Sequence, residues 1–516
     1  MGLITRLVGP LGLLYYTGIA VYRLFFHPLA SVPGPKLAAL TSWYEIYWDI
    51  FKEGQYMWQI DAMHDKYGPV VRVNPREVHI RDRNYWDFLY SNSARLDKDH
   101  IHYRGLGSNT TMFATTESNF HRVRRGAASK MFSPANIAKL EPRIRAQIQR
   151  LFERIDAIGK SGQILPWTDA SKALTMDVIS AYSEPRPARA FLDSPDFAHQ
   201  WHMVVRRSVL AFIIERHFPV YYFILSLIPR WYLQKTDPDV LQLLDKKADL
   251  LEQTQRVLAS QDKMTEDKSL TVLETLVTSK TLPLSEKSPR RLTEEIESIL
   301  NAGTETLATV LTTMVFYVLD KPEILARLKT EVTSCSQSPK DVVLDSATLV
   351  KLPYLAAVIN ESLRVASPVT GRLTRFHPSR VFTYTNKDTG VTHTFPPHTS
   401  MSMSPRDVMA DPEVFPNPTE FKPERWLDSS SDQSSTTTPE QRKLMHKCLV
   451  PFSTGHRNCI GLELAKQEIL LTAGNLFRRF DFELYDTSER DISHAHDYFA
   501  PFPAADTQGV RLKVKV

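Results

Sequence analysis

Residues 451–461 read PFSTGHRNCIG, and Cys459 within them is one of only three cysteines in a chain of 516 residues. The sequence that follows, IGLELAKQEILLTAGNLFRRF, carries apolar residues at helical spacing from Leu462 onward, so the thiol stands just before a helix N-terminus. Unsatisfied N–H groups and the helix dipole at such an end favour thiolate over thiol. Gly455 supplies a positive φ for the turn, and Gly461 leaves room for a flat ligand to approach the helix. Arg457 adds a fixed positive charge two residues from the sulfur. Everything local is expected to lower the pKa of this thiol.

A thiolate of this kind serves as nucleophile, metal ligand or haem ligand; the bland alternative is a buried structural cysteine. A nucleophile needs a base, for which His456 is the sequence neighbour. Zinc sites use paired cysteine and histidine spacings, and the chain has no CxxC. A single sulfur backed by amides and a basic residue suits the axial position on haem iron. Phe452-x-x-Gly455-x-Arg457-x-Cys459-x-Gly461 resembles, at every position, the haem-binding signature FxxGxRxCxG of the cytochrome P450 monooxygenases. The resemblance implies haem b (iron protoporphyrin IX) as cofactor and Cys459 as its axial metal ligand. It also implies that Phe452 packs under the ring near the sulfur and that Arg457 pairs with a haem propionate.

Further stretches carry the same resemblance in order. Glu361-Ser-Leu-Arg364 fits ExxR, a spacing that puts both charges on one helical face. Pro423-Glu-Arg425-Trp426 is similar to the family's PERF-like segment, which implies that Arg425 joins Glu361 and Arg364 in a structural network. Residues 293–320 have a helical period over about 42 Å. In their middle, Ala302-Gly303-Thr304-Glu305-Thr306 matches the oxygen-binding motif [AG]Gx[DE]T. There the small Ala302 and Gly303 are expected to let the helix lie against a flat macrocycle. Thr306 is expected to hydrogen-bond dioxygen and Glu305 to relay protons, which makes these two the catalytic residues. The plain alternative is a core helix whose threonine bonds its own backbone. His121-Arg-Val-Arg-Arg125 stands where the family has WxxxR, which implies a propionate contact for Arg125 and a hydrogen-bond donor at His121. Arg375, eleven residues after Arg364, takes the place of another propionate contact. The resemblance runs over residues 20–515, and YRLFFHPLASVPGPKLAAL together with HRVRR looks most like fungal microsomal, trichodiene-oxygenase-like members.

The net charge of +5, from 63 basic and 58 acidic residues, comes without a long basic run, so no nucleic-acid partner is expected. Three scattered cysteines form no disulfide framework and lean toward a reducing compartment. Residues 7–26 are apolar over about the length needed to cross a bilayer, and Pro33-Gly34-Pro35 is a stiff break. A signal peptide cleaved near residues 28–31 is the competing reading. The expected organisation is a membrane anchor at 1–30, a Pro-rich hinge at 31–40 and a haem-thiolate catalytic domain at 41–516. This places the chain in the endoplasmic reticulum membrane, single-pass, with the catalytic domain facing the cytosol.

The expected fold is mainly α with a small β-rich subdomain near 68–82 and 378–400, which by resemblance is the cytochrome P450 fold. A hairpin around Asn-Pro at 68–81 and a β-like stretch at 381–395 supply the strands. Helical periods run over 137–158, 240–260, 293–320 and 462–480. The low-complexity SSSDQSSTTT lies in a flexible insert at 428–440.

Gly105-Leu-Gly107-Ser-Asn-Thr110 lacks the third glycine of a dinucleotide loop. Electrons are therefore expected from NADPH through a separate membrane-bound NADPH-cytochrome reductase, with cytochrome b5 as a second donor. The basic run at 441–447 either meets an acidic partner or is simply solvated. The expected reaction is hydroxylation or epoxidation of a lipophilic small molecule held by walls from 100–120, 201–222, 296–306, 366–373 and 499–503. A terpenoid secondary metabolite stands ahead of a polyketide or an alkaloid. The alternatives are a reductase-independent haem-thiolate isomerase or dehydratase, which could dispense with Glu305 and Thr306, and a non-catalytic haem-binding protein.

Overall fold

A computed structural model describes residues 2–104, 110–185, 190–263, 271–428 and 437–515. The dinucleotide-like loop at 105–109 and the low-complexity stretch at 429–436 lie outside the described residues. The organising element is the 32-residue helix Pro289–Asp320. Pro289 sits at its first turn, where a missing N–H costs nothing, and the Ser288 hydroxyl accepts the Arg291 N–H at 3.3 Å. Most of its side chains are buried, among them Ile296, Leu300, Leu311 and Met314. By length and composition it is apolar enough to cross a membrane, but 67% of its most apolar window is buried in the body, so it is a core helix. Around it pack the helices Trp167–Ser183, Pro238–Ala259, Pro353–Ala366 and Leu462–Arg479. The helices read from residues 137–158 and 462–480 appear as Pro134–Ser161 and Leu462–Arg479.

The β-rich part forms where the alternating pattern placed it. Val70–Asn74 pairs antiparallel with Glu77–Ile80, Val70 facing Ile80, and Ser400–Ser402 adds a parallel third strand beside Glu77. Phe382–Thr385 and Thr392–Phe395 form a separate antiparallel pair. A further sheet joins Leu165–Pro166, Arg511–Lys515 and Asp481–Leu484. These strands are short and distant in sequence, so no local period announces them.

At the N-terminus, Gly2–Val21 is a helix and Tyr22–Phe26 continues it as one wider turn. Helical backbone stops at His27, before the Pro33-Gly34-Pro35 break. The stretch read as a hinge is docked on the body. Leu29, Val32, Ala38 and Ala39 are buried, and the Arg72 N–H donates to the Pro33 carbonyl at 2.7 Å. The Arg72 guanidinium donates to the carbonyls of Arg23 and Pro75 at 2.9 and 2.8 Å. Apolar side chains within the stretch explain the difference: they gain more by burial than a free linker could retain.

Candidate haem site

The loop ahead of Leu462–Arg479 takes the form the sequence implied. Gly455 has φ +75°, and a Cβ there would collide with the Tyr90 carbonyl. Thr454 ties the loop down, its hydroxyl accepting the Trp86 indole N–H at 2.9 Å and donating to the Tyr90 carbonyl at 3.1 Å. The Cys459 N–H donates to the Phe452 carbonyl at 2.8 Å, and Phe452 is half-buried against the main core. Cys459 presents open surface. Even so, protein atoms crowd it enough for burial to push its thiol above the ordinary range, against a Gly461 N–H bond and the Arg125 charge, which lower it. Both hold together if the open surface faces an internal space and not bulk water. The expectation of a lowered pKa is therefore corrected: the Gly461 N–H at the helix start acts in the expected direction, the helping charge is Arg125 and not Arg457, and burial by the whole body outweighs both. A stable thiolate here calls for a positive centre bonded to the sulfur.

Across the site, Ala302 is exposed and Thr306 half-buried, although Thr304, Leu307 and Ala308 on the same helix are buried. Surface left open in the middle of a core helix marks an internal space. Ala302 lies on that open side as expected, but Gly303 meets a different need. A Cβ at 303 would lie 2.8 Å from Ile179 Cγ1, so this glycine admits the neighbouring helix Trp167–Ser183 and not a macrocycle. The Thr306 hydroxyl donates to the Ala302 carbonyl at 2.7 Å. Glu305 pairs with Lys172 at 3.0 Å, and its other carboxylate oxygen is buried with no hydrogen bond among the described residues.

Four basic side chains converge at the edge of this space. Arg457 donates to the carbonyls of Thr115 and Thr116 at 2.7 and 2.5 Å, while its buried Nε has no hydrogen-bond partner among the described residues. Arg375 donates to the Thr374 carbonyl at 2.8 Å and reaches the Tyr103 hydroxyl at 3.5 Å. Arg125 places both terminal nitrogens on Asn458, each at 2.7 Å. Lys98 donates to the Phe113 carbonyl at 2.6 Å. Among the described residues none of the four is in an ion pair. Their electrostatics record the strain of that. Burial, then Arg457 and Arg375, hold Lys98 far below the ordinary lysine range. Burial and Arg375 bring Arg457 down to about 9. Burial and the surrounding cations push His121 down to about 2, so its imidazole is neutral and can donate. Buried cations that repel one another call for an anion. The two carboxylates of a haem would meet that demand, and its iron the open sulfur; Arg457, Arg375, Lys98 and His121 would face the carboxylates, whereas Arg125, expected as a propionate contact, places both terminal nitrogens on Asn458 of the sulfur loop. Lys98 was missed from sequence: a lone lysine in a loop carries no periodic or motif signal.

Glu361, Arg364 and Arg425 come together as implied, all buried. The Glu361 carboxylate accepts from Arg364 at 2.8 and 2.9 Å, from Arg425 Nε at 3.2 Å and from the Lys422 N–H at 2.9 Å. Trp426 adds a donor that sequence reading overlooked, its indole N–H reaching the same carboxylate at 2.9 Å.

Comparison with known proteins agrees with this geometry. A family profile described as Cytochrome P450 matches residues 40–502. "Cytochrome P450 monooxygenase sdnE" of Sordaria araneosa is 37% identical, over 99% of this chain and 98% of that one. "Tryptophan 6-hydroxylase fscE" of Fusarium equiseti is 38% identical, covering 96% and 94%. "Cytochrome P450 monooxygenase TRI4" of Trichoderma arundinaceum is 34% identical, covering 95% and 92%. Among solved structures, retinoic acid-bound cyanobacterial CYP120A1 shares the fold with a TM-score of 0.64 at 20% identity, over 88% of this chain and 93% of that one. With its sulfur, its unmatched cations and these relatives in accord, the chain belongs to the cytochrome P450 family and is a monooxygenase.

Proposed function

We propose that this enzyme uses dioxygen and electrons from a separate NADPH-dependent reductase to hydroxylate or epoxidise a lipophilic secondary metabolite, a terpenoid. The observation that carries the haem-thiolate reading is the pairing of an open Cys459 with buried cations that, among the described residues, are in no ion pair. When bound, haem iron supplies the activation of dioxygen. The chain's own part is positional. Cys459 would hold the iron, the cation edge would hold the ring's carboxylates, and the buried helix faces would exclude water. Thr306 lies on the open side of its helix with its hydroxyl donating to the Ala302 carbonyl, and the Glu305 carboxylate, paired with Lys172, stands next to it to relay protons. The trichodiene-oxygenase-like stretches and the TRI4 relatives from two fungi support a terpenoid. The tryptophan hydroxylase relative makes an indole compound the second substrate class to screen.

The exposed apolar residues of the first helix and of the wider turn that continues it, among them Leu13, Leu14, Phe25 and Phe26, support a membrane anchor. Trp43 and Phe218, whose rings lie 6.1 Å apart, are exposed apolar residues on the body itself. A pocket of about 220 Å³ lined by Arg95, Arg122, Arg125 and His456 beside the sulfur loop supports docking of an acidic reductase face. The test is expression with a reductase. The reduced, carbon-monoxide-treated protein should show the red-shifted Soret band of thiolate ligation, and terpene scaffolds should yield oxygenated products. Thr306→Ala should consume NADPH while releasing peroxide in place of product. A normally folded protein lacking the shifted band overturns the reading.

A further inference from the structure

Glu45 and Glu77 are two carboxylates that share one counter-ion. Glu45 lies on the short helix Trp43–Ile46 and Glu77 opens the strand Glu77–Ile80, and both are buried. Arg372, itself buried, is ion-paired with both. Its Nε stands 2.9 Å from Glu77 Oε1 yet makes no aligned hydrogen bond. Among the described residues the other side-chain donors to the two carboxylates are neutral. Asn74 Nδ2 reaches Glu45 Oε2 at 3.0 Å and Glu77 Oε2 at 2.9 Å, and the Ser402 hydroxyl donates to Glu77 Oε1 at 2.6 Å. Arg216 does not make up the difference, because it pairs with Asp49. One buried negative charge is left over, which is costly unless a cation or a proton meets it.

A free nitrogen stands at the same place. A ring nitrogen of His102, a carboxylate oxygen of Glu45 and one of Glu77 all lie within 4.8 Å of one another. His102 is 5% exposed, and its Nε2 is buried without a hydrogen bond among the described residues. Burial, then Arg216 and Arg372, hold the imidazole well below the ordinary histidine range, so it is neutral and carries a lone pair. Its segment is braced: Asp99 Oδ1 accepts the Ile101 N–H at 2.8 Å, and Arg76 pairs with the same carboxylate at 2.9 Å. Glu45, Asp49 and His217 lie equally close together, but there His217 Nε2 is already bonded to Asp49 at 2.9 Å. The set with an unused nitrogen is Glu45, Glu77 and His102.

We propose that Glu45, Glu77 and His102 form a structural site for a divalent transition-metal ion, zinc. Two carboxylate oxygens and a neutral imidazole are ligands that zinc accepts at about 2.0–2.2 Å, with water completing its tetrahedron. Magnesium and calcium take oxygen ligands and would leave the nitrogen unused. The ion supplies the charge that Arg372 alone cannot, and it ties together three segments distant in sequence. One of these carries Lys98, whose ammonium lies over Tyr103 and Phe113 at 4.1 and 4.2 Å from their centroids. Zinc therefore steadies the segment that brings Lys98 to the cation edge. The assignment does not depend on the haem-thiolate reading.

The test uses the full-length, haem-loaded protein without a histidine tag, stripped with a chelator, exposed to zinc chloride and desalted. Elemental analysis should find a single zinc per chain, and zinc should raise the thermal midpoint. His102→Gln keeps a polar side chain but removes the ring nitrogen. This variant should retain no zinc, and its midpoint should not move when zinc is added. Equal zinc in the wild type and His102→Gln would mean surface histidines only and overturns the proposal. A wild type that retains no zinc overturns it too, since a proton alone then meets the charge. If His102→Gln fails to fold, the wild type decides by itself. Anomalous scattering at the zinc edge should place the ion among the three side chains, and a peak anywhere else overturns the assignment.

Discussion

Two groups of buried charges sit in this protein within a few side chains of its chemistry. Around Glu361, two arginines, an indole and a backbone amide converge on one carboxylate, and the arginines' remaining N–H groups find the carbonyls of Pro416, Pro418 and Glu420. Around Arg457, cations converge and find only neutral oxygens. The first group is complete without help. The second is complete only when something anionic joins it. Both groups are largely buried; what differs is whether the cations are ion-paired with a carboxylate of the chain, and that separates scaffold from binding site.

The largest effect should come from breaking the complete group. Glu361→Gln keeps shape and removes the charge, which leaves Arg364 and Arg425 unmatched in the core. Breaking a buried pair in this way costs about 3–5 kcal/mol. The variant should unfold at lower denaturant and fail to retain haem. A fully coloured, equally stable variant would contradict the network.

The incomplete group should respond with the opposite sign. Lys98→Met keeps the apolar stem against Tyr103 and Phe113 and removes the amine. Removing a buried amine whose charged form is penalised by burial and by Arg457 and Arg375 should make the haem-free chain more stable, while haem retention weakens. The pH dependence follows. Burial depresses Lys98 in the folded state, so the unfolded chain binds the extra proton over the interval between that depressed value and the ordinary lysine range. Stability of the haem-free protein should therefore rise with pH above neutrality, and Lys98→Met should flatten the rise. Equal slopes in denaturant titrations of the two proteins would show that Lys98 does not carry the strain.

The same contrast explains what could be read from sequence. The Glu361 network and the Cys459 loop are short-range patterns whose spacing fixes their geometry, ExxR on one helix face and a glycine turn before a helix. Thr306 and Ala302 were likewise visible by position on one helix. What escaped depended on distant partners. Gly303 looked made for a cofactor because Ile179, 124 residues earlier, is invisible from its own helix. Cys459 looked like an easy thiolate because the surrounding groups are local, whereas the burial that opposes them comes from the whole body. Lys98 had no motif at all.

The smallest effect to measure belongs to His121. Its imidazole refuses a proton down to about pH 2, chiefly because of burial and then because Arg457, Lys98 and Arg125 repel it. The unfolded chain takes that proton below about 6.5. The folded-state value is depressed, so its contribution to stability is full above the ordinary histidine value and is lost progressively as pH falls below it. At pH 6 the loss from this one group amounts to about 1 kcal/mol, since each full proton is worth about 1.4 kcal/mol per pH unit. His121→Phe should reduce the difference in stability between pH 7.5 and pH 6 by that amount in the haem-free protein. Other buried histidines contribute equally to both proteins and drop out of the comparison. Loading with haem should shrink the wild-type slope as well, because carboxylates beside His121 remove the repulsion that keeps it neutral. A slope that haem leaves untouched would mean that the cations around Arg457 are matched from elsewhere, and the distinction between the two charge groups would then fail.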